Sequence, residues 1–522
     1  MPWKGSPAKP IIPLADLLEK GRNRNGDAVA LASSRSQFTW RQLDQQSTHL
    51  AQHYLLLGLK PGDRVASLMP NRTALVIHYL ACLKAALVAT PLNYRYMPPE
   101  IDHALQRSDA SILLHHAERD ADVAACRSSE HLRLGTIRYQ AGDGIGLRWE
   151  ELLARPQVDL PLPKPGLDSP AFIYFTSGST GEPKGVVHTH GTFGAMLAAA
   201  IGGMELTSRD TFLAASSLSH IGASMFGLAA LAAGGRMLTP RSTDAREVLP
   251  MLEQFRPTVM LMLPAPLVAL THDREVTREE FASIRLCVSG GDRVSSRLEE
   301  EFLATTGKSI DESYGMTEIG LTAISPPSGE NRWGSLGKLC PGYEISLRDA
   351  QGSEVPVGQE GRMWVRSPTN MVGYWGDPAA TAATIEDGWL DTGDRIKIDA
   401  DGYLWFCGRQ KQIIIHDGSN ICPQEVEETL AAHPAVNLVA VIGVHDVVHG
   451  ENVRAYVTCH PSMPCPTSAE LIEFARQRVG YKAPEEIFFL SQLPLTPTGK
   501  LDRPALKKWA SPDFSDFSEN EQ

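Results

Sequence analysis

The chain has 522 residues, of which 43% are hydrophobic and 21% charged, as in a protein that buries large cores. Its net charge of −12 argues against nucleic acid as a partner, and its nearest candidate for a membrane span, residues 221–235, is too short. Eight cysteines without a C-x-x-C pair argue against a metal or dithiol centre, and the start of the chain lacks a secretory apolar core, so we expect free thiols and a cytoplasmic location.

The region before residue 155 alternates between strand and helix patterns. Residues 14–60 predict a helix, a hairpin and a second helix, and residues 62–93 predict strand, helix, strand. A helix at 98–108 then leads into a strand at 111–114. Such alternation predicts a parallel sheet with crossover helices. A proline-rich stretch, residues 155–169, is the predicted connector to the next region.

Residues 172–190, FIYFTSGSTGEPKGVVHTH, place a glycine-rich loop between two β-prone runs. The ten residues from Thr176 to Gly185 contain three glycines, four hydroxyl side chains and Lys184. Glycines allow close backbone approach and successive N–H groups in such turns bind anions, so the loop predicts a phosphate site. A plain surface loop is the alternative on composition alone. The Walker pattern fails because Pro183 replaces its second glycine, and no dinucleotide fingerprint opens a helix here.

Three later segments combine a predicted strand end with glycines or polar side chains. The predicted strand 211–216 runs into the loop 217–222, which contains His220. Residues 286–292 run into Gly290 and Gly291, and residues 312–318 read ESYGMTE. Ligands bind beyond the carboxyl ends of parallel strands, so these ends are site candidates. Ordinary turns and a structural histidine are the alternatives.

The rest of the chain predicts a β-rich section and then a smaller unit. Residues 333–408 carry many turn signals and predict an all-β section. Beyond it we expect a helix at 424–432, strands at 438–444 and 452–458, a helix at 467–478 and a strand at 486–490. Lys500 follows in a loop rich in glycine and proline, and the acidic tail 511–522 is expected to be disordered.

Five motifs together resemble the adenylate-forming superfamily of acyl-CoA synthetases, luciferases and adenylation domains. They are TSGSTGEPKG at 176–185, YGMTE at 314–318, GWLDTGD at 388–394, GRQKQII at 408–414 and PLTPTGKLDR at 494–503. The resemblance covers about residues 25–505 in family order. It implies an α/β fold, with a large N-terminal domain of parallel α/β sheets plus a β-rich subdomain (1–408). A hinge (409–411) and a small mobile C-terminal α+β domain (412–510) would follow.

The resemblance also implies roles for single residues, with ATP and CoA as co-substrates. Tyr314 would stack on adenine, Asp394 and Arg409 would contact the ribose, and Lys411 would be the hinge. Glu318 would hold Mg²⁺. The implied catalytic residues are Lys500, Thr317, Glu318 and His220. The implied nucleotide-binding residues are Thr176, Ser177, Gly178, Ser179, Thr180, Gly181, Lys184, Gly290, Gly291, Asp292, Tyr314, Gly315, Met316, Asp394 and Arg409. Gly418 and Ser419 would line the CoA tunnel.

The expected function is that of an AMP-forming acyl-CoA synthetase. A stand-alone enzyme that loads a carrier protein, and a catalytically silent nucleotide-binding relative, are the alternatives, and luciferase-like oxygenation shares the motifs. No aspartate lies within 217–224, which argues against an α-amino acid substrate. The predicted acyl pocket favours an apolar monocarboxylate, fatty or aryl, of unspecified length, and a homodimer is left open. Its predicted walls are His220, Ile221, Gly222, Met225, Leu263, Ser289 and Ile319.

Overall fold

The structure is a computed structural model. It describes residues 2–510 except 141, 143–145, 177–182, 272–275, 293, 410–411, 413, 417–418, 447–449, 462 and 497–499, and except the side chains of 415, 419, 420 and 450. The predicted tail 511–522 therefore lies outside the described residues.

The described residues up to Arg409 are called the larger part of the chain, and those from Ile414 onward the smaller part. A nine-stranded sheet, counted over the described residues, forms the centre of the larger part. Its inner strands are parallel and only its ends are antiparallel. The strand Thr211–Ala215 is buried along its whole length, as expected where helices cover both faces of a parallel sheet. In spatial order the strands are Lys338–Leu339, Gly320–Ile324, Asp311–Met316, Leu286–Gly290, Val259–Met262, Thr211–Ala215, Arg236–Leu238, Val29–Ala32 and Gln37–Thr39.

A second sheet, with eight strands in the described part of the chain, carries both ends of the predicted phosphate loop. Six neighbouring strands are parallel, and the strand after the loop pairs antiparallel with the strand before it. The order is Gly373–Tyr374, Lys184–Thr189, Pro170–Thr176, Val88–Pro91, Arg64–Leu68, Ile112–His116, Thr136–Tyr139 and Leu147–Arg148. The strand–loop–strand prediction for 172–190 is confirmed at both of its described ends.

Two further sheets follow the sequence order of the β-rich section and the smaller unit. The first is antiparallel and contains Trp3–Lys4, Glu344–Arg348, Glu360–Arg366, Trp389–Ile398, Ile385–Glu386 and Leu404–Arg409. The second contains Ser419–Ile421, Ile414–His416, Gly450–Cys459, Val436–Asp446 and Glu486–Phe489. The prediction that 333–408 is all-β is wrong at the helix Pro378–Thr384, which Asp377 caps by accepting from the Ala380 N–H.

Some helices begin where side chains satisfy their first N–H groups. Thr39 and Gln42 form a capping box that starts the helix Trp40–Leu56, and Thr467 and Glu470 start Ser468–Val479 in the same way. The other α-helices are Glu19–Asn25, Thr73–Lys84, Pro98–Ser108, Asp120–Ala124, Trp149–Ala154, His190–Gly203, Ile221–Ala232, Ala245–Phe255, Pro264–Thr271, Ser296–Thr306, Pro423–Ala431 and Arg503–Trp509. Short 3-10 helices occupy Leu14–Asp16, Ala117–Arg119, Arg127–His131 and Gly480–Lys482.

The buried apolar residues form separate cores in the two parts of the chain. The largest cluster runs from Leu14 to Leu404 and contains residues of both large sheets, of their helices and of the antiparallel sheet. The two clusters that begin at Ile414 and at Ala440 contain only residues from 414 onward. No described helix has the length and apolar character to cross a bilayer.

One cysteine pair departs from the expectation of free thiols. Cys459 and Cys465 form a disulfide, with Cα atoms 5.6 Å apart, where the chain turns back after the strand Gly450–Cys459. The sequence spacing gave no signal for it, because the two cysteines meet only through this turn. Among the described residues, the other six cysteines form no disulfide.

Candidate active site

The polar residues predicted from the motifs gather at the carboxyl ends of three parallel strands. Leu286–Gly290 ends at Gly291 and Asp292, Asp311–Met316 leads to Thr317 and Glu318, and Thr211–Ala215 leads to His220. This is the edge at which open α/β sheets bind ligands. Gly290 has no room for a side chain, because a Cβ there would lie 2.4 Å from the Ser313 carbonyl oxygen.

A hydrogen-bonded chain joins Tyr314, Asp394 and Arg409. The Tyr314 hydroxyl donates to Asp394 Oδ2 at 2.6 Å, and Arg409 Nε donates to Asp394 Oδ1 at 2.7 Å. Asp394 is fully buried, so its charge needs both hydrogen-bond partners to offset the loss of hydration. Burial, and then the Asp394 charge, raise the pKa of Tyr314, so its hydroxyl stays a donor. Residues 80 positions apart are therefore fixed as one unit.

Glu318 is a buried carboxylate at the same edge. It is 7% exposed, and its Oε1 accepts from the Tyr374 hydroxyl at 3.0 Å. Burial raises the pKa of Glu318, while Arg409 and Lys500 act in the opposite direction. The neighbouring Thr317 carbonyl accepts from His188 Nε2 at 2.7 Å. A desolvated carboxylate of this kind is stabilised by a bound cation.

The described ends of the phosphate loop also meet Tyr374. The Lys184 ammonium lies 5.0 Å from the centre of the Tyr374 ring, a cation–π contact. Thr176 Oγ1 donates to the Lys184 carbonyl at 3.5 Å. Lys184 therefore contacts the face of the Tyr374 ring, and Glu318 contacts the hydroxyl of the same tyrosine.

His220 is held in one tautomer by Asn93. Asn93 Oδ1 accepts from the Arg95 N–H at 2.9 Å, so its amide Nδ2 faces His220 Nε2 at 3.1 Å. Burial, and then the positive charges of Lys500 and Arg95, lower the pKa of His220 to about 4. A neutral ring that accepts at Nε2 carries its proton on Nδ1. His220 can thus offer one N–H to a ligand at neutral pH.

Lys500 reaches the site from the smaller part of the chain. As a residue it is exposed, but its Nζ lies 3.3 Å from the position of a Cβ built on Gly291, whose φ is +80°. Loss of hydration there, and then the charge of Arg409, lower the pKa of Lys500, while Asp292, Glu318 and Asp394 oppose the shift. The next residue, Leu501, donates its N–H to Asp292 Oδ2 at 3.4 Å.

The comparisons with known proteins agree with this geometry. Residues 18–375 match the family model for AMP-binding enzymes, and residues 425–500 match the model for the AMP-binding enzyme C-terminal domain. The chain belongs to the AMP-binding enzyme family. The predicted membership and the predicted fold class are therefore confirmed.

Relatives in this family differ, by their names, in the carboxylic acid and in the acceptor of the acyl group, which is CoA or a carrier protein. A feruloyl-CoA synthase from Amycolatopsis sp is 34% identical, covering 91% of this chain and 94% of the relative. A long-chain-fatty-acid–CoA ligase from Yersinia pestis is 31% identical (95% and 94%), and a fatty acid–[acyl-carrier-protein] ligase, ScoC, from Streptomyces coeruleorubidus is 31% identical (90% and 91%). The solved structure of the anthranilate CoA ligase AuaEII with anthranoyl-AMP superposes with a TM-score of 0.89 at 27% identity, covering 96% of this chain and 97% of that one.

Several residues predicted from the family motifs lie outside the described residues. They are Ser177, Gly178, Ser179, Thr180, Gly181, Lys411 and Gly418, and of Ser419 only the backbone is described. Gly315 is exposed, and Met316 and Thr317 are partly exposed at the site edge. Their assigned roles stay predictions.

The residues predicted to form the walls of the acyl pocket differ in how exposed they are. Ser289 and Ile319 are fully buried, Met225 is 2% exposed and Ile221 is 9% exposed. A Cβ added at Gly222 would meet open space. Leu263 lines a cleft between the two parts of the chain, together with Asp292 and Lys500.

Sequence reasoning missed the residues that support these motifs from other elements. Tyr374, Asn93 and His188 contact Glu318, His220 and Thr317 across 56, 127 and 129 positions. The local signal for Tyr374 is the pair of glycines near it, Gly373 and Gly376. Nothing in the sequence places Asn93 beside His220.

Asn71 is a further supporting residue, buried between the two large sheets. Its Nδ2 donates to the Ser216 carbonyl at 2.8 Å, and its Oδ1 accepts from the Leu218 N–H at 2.8 Å. The Tyr79 hydroxyl donates to the Leu218 carbonyl at 3.0 Å. Both backbone groups of Leu218 are thus bound by side chains from the loop and the helix that follow the strand Arg64–Leu68, which fixes the loop that carries His220.

We expect Asn71→Ala to raise the KM for the carboxylate more than the KM for ATP. It leaves two buried backbone groups unpaired, each worth about 1–3 kcal/mol, so the loop before His220 should shift. Initial-rate kinetics with each substrate varied would measure the split. Gln52→Ala is the control, since Gln52 is also buried and donates to the Leu160 carbonyl away from the site. Equal rises in both KM values would contradict this role.

Proposed function

We propose that this chain is an AMP-forming acyl-CoA ligase for an apolar monocarboxylate. The observation that carries the proposal is that Tyr314, Asp394, Arg409, Glu318 and Lys500 lie close to one another at the edge where the strand Asp311–Met316 ends. Membership of the AMP-binding enzyme family supports the same reaction.

In the first half-reaction a carboxylate oxygen attacks the α-phosphorus of ATP. The bond from that phosphorus to the bridging oxygen breaks, and pyrophosphate leaves. The substrate is itself the nucleophile, so catalysis consists of placement and charge stabilisation. The Lys500 ammonium supplies positive charge, and His220 offers its Nδ1–H to the carboxylate or the phosphate. In the second half-reaction the thiol of CoA attacks the acyl carbon and AMP leaves.

The nucleotide would lie along the residues of the hydrogen-bonded chain. Tyr314 supplies an aromatic face for adenine, Asp394 and Arg409 face the ribose, and Thr176 and Lys184 flank the phosphates. Ser177, Gly178, Ser179, Thr180 and Gly181 complete this set from the sequence motif. Gly418 and Ser419 are assigned to the path of the CoA thiol on the same ground.

A Mg²⁺ ion fits the chemistry of Glu318. Among the described residues no group of three or more His, Cys, Asp or Glu side chains is placed to hold a metal ion. Mg²⁺ commonly takes one or two protein carboxylates and otherwise phosphate and water oxygens. Glu318 would hold this ion, which would supply positive charge to offset the charge of the leaving pyrophosphate.

We infer two domains, residues 1–408 and 412–510, joined by a hinge at 409–411. The separation of the apolar cores supports this division. ATP and CoA are intracellular metabolites, which favours a cytoplasmic enzyme. Sedimentation would decide between a monomer and a homodimer.

A panel of carboxylic acids in a pyrophosphate-release assay, with and without CoA, tests the function. Ferulate, benzoate, octanoate and palmitate represent aryl and fatty acids, and malonate and phenylalanine represent charged ones. We expect release with at least one apolar acid and, with CoA, formation of AMP and the thioester. The physical reason is that the predicted walls carry no charged side chain to pair with a second charge, since His220 is neutral at neutral pH.

Three other outcomes would assign another function. Release of pyrophosphate with phenylalanine alone would overturn the apolar assignment. Acyl transfer to a phosphopantetheinyl carrier protein but not to CoA would indicate the carrier-loading alternative, which the relative ScoC favours. Failure with every acid, while ATP still binds, would indicate a silent relative.

A further inference from the structure

Arg297 connects the two parts of the chain at a point away from the motifs. It lies in the first turn of the helix Ser296–Thr306 in the larger part. Its Nη1 donates to the carbonyl oxygens of His433, Pro434 and Val436 in the smaller part, at 3.3, 2.7 and 2.6 Å. One guanidinium nitrogen thus binds three backbone acceptors across the interface.

The three acceptors belong to a tight turn between a helix and a strand. The helix Pro423–Ala431 ends just before the turn, and Val436 begins the strand Val436–Asp446. The Val436 N–H donates to the His433 carbonyl at 3.0 Å, which closes the turn and directs its carbonyls to one side. The turn is therefore a ready acceptor for a cation.

A contact within its own helix also orients the guanidinium. Arg297 Nε donates to Glu301 Oε1 at 2.7 Å, one helical turn along the same helix. The Arg297 side chain is 23% exposed, so water competes with its contacts only in part. Charge-assisted hydrogen bonds in such surroundings are stronger than neutral ones.

The segment that carries Arg297 also contacts the Lys500 loop. Asp292, five residues earlier, accepts from the Leu501 N–H. A cleft lies between these two contacts, lined by Asp292, Leu298, Leu438 and Lys500. The two contacts on either side of the cleft fix the smaller part where the Lys500 ammonium reaches Gly291.

We propose that Arg297 is a positioning residue for adenylate formation, because it holds the smaller part of the chain in the orientation that brings Lys500 to the site. The inference rests on the proposed two-step function. It concerns a residue that belongs to none of the five motifs and that, within the part of the chain that the structure describes, contacts neither the assigned nucleotide residues nor His220. Arg297 acts by raising the population of the orientation in which Lys500 lies at the site.

The test is Arg297→Ala, measured separately in the two half-reactions. Adenylate formation, followed as pyrophosphate release in a single turnover, should slow about tenfold, the scale for losing hydrogen bonds to a charged group. Conversion of supplied acyl-adenylate to the thioester should keep its wild-type rate, because Lys500 is not required in that step. The acid used is the best one from the carboxylate panel.

Two variants serve as references. Arg278→Ala removes a guanidinium that donates to the Ala304 carbonyl within the larger part only, and it should leave both half-reactions unchanged. Arg297→Lys keeps one charged donor and should lose less than Arg297→Ala. Thermal melting of all three variants gives their stability, and if Arg297→Ala melts below 37 °C then Arg297→Lys carries the same comparison.

Two outcomes would overturn the proposal. One is a wild-type rate of adenylate formation in Arg297→Ala, and the other is equal slowing of both half-reactions. Absence of pyrophosphate release by the wild-type chain with every acid would instead reject the proposed function. The two failures are therefore distinguishable.

Discussion

Lys500→Ala should slow acyl-adenylate formation by about 10²-fold or more, the scale for removing a preorganised charge-stabilising group. In the proposed reaction the ammonium would lie where negative charge develops between carboxylate and α-phosphate, and that interaction would be felt in the transition state. Conversion of supplied acyl-adenylate to the thioester should remain near the wild-type rate. Single-turnover assays starting from acid plus ATP, and from preformed adenylate, measure the two effects.

The pH dependence gives Lys500 a second signature. Its pKa is lowered by loss of hydration and by Arg409. A lysine must be protonated to stabilise negative charge, so adenylate formation should fall as pH rises through this lowered pKa, earlier than for an ordinary lysine. Lys507→Ala, at an exposed position on the helix Arg503–Trp509, is the control and should keep the wild-type profile.

Equal loss in both half-reactions of Lys500→Ala would reject the proposed separation of the steps.

A bulky side chain at Gly418 should give the reverse pattern. The family motif assigns this glycine to the CoA path, where backbone must pass close to the ligand. Adenylate formation should survive and thioester formation should fail.

Glu318→Gln should abolish Mg²⁺-dependent adenylation, with a loss of about 10²-fold or more, while the fold remains intact. The amide oxygen can still accept from the Tyr374 hydroxyl, so this buried donor keeps its partner. What disappears is the negative charge that a cation between protein and phosphates requires. Pyrophosphate release across a Mg²⁺ titration measures the effect.

The stability of Glu318→Gln follows from the direction of the pKa shift. Burial raises the pKa of Glu318 above its ordinary value, so the ionised form is disfavoured in the folded state. At pH above that pKa, the carboxylate lowers the free energy of unfolding relative to a neutral side chain. The variant should therefore melt at the same temperature as the wild type or higher. Glu386→Gln, at an exposed carboxylate, is the control. Wild-type pyrophosphate release by Glu318→Gln at ordinary Mg²⁺ would reject the metal assignment.

The sequence predicted the strand ends well because their chemistry is local. Glycines at 290 and 291, and the run from Tyr314 to Glu318, follow buried apolar strands, and each lies at the predicted sheet edge. The alternation of strands and helices also predicted the parallel sheets. What it could not assign was the sheet to which each strand belongs. The hairpin Val29–Ala32 and Gln37–Thr39 joins the nine-stranded sheet, far from its sequence neighbours in the eight-stranded one.

The supporting residues escaped prediction because their partners are distant in sequence. Asn71 contacts Leu218 across 147 positions, and Arg297 contacts Pro434 across 137. Neither has a spacing or a neighbour that sets it apart from an ordinary surface or core residue. Tertiary packing alone creates these contacts.

The chain formed by Tyr314, Asp394 and Arg409 bears on how the enzyme distinguishes nucleotides. Both oxygens of the Asp394 carboxylate already accept hydrogen bonds from the protein. Asp394 is also fully buried, so a ribose hydroxyl could reach the carboxylate only by displacing a group that now covers it, and sugar binding would then be an exchange rather than an addition. An exchange of equal hydrogen bonds contributes little net affinity. Discrimination among nucleotides should therefore depend on the base and the phosphates, and a sugar lacking a hydroxyl should lose less affinity than its contacts suggest.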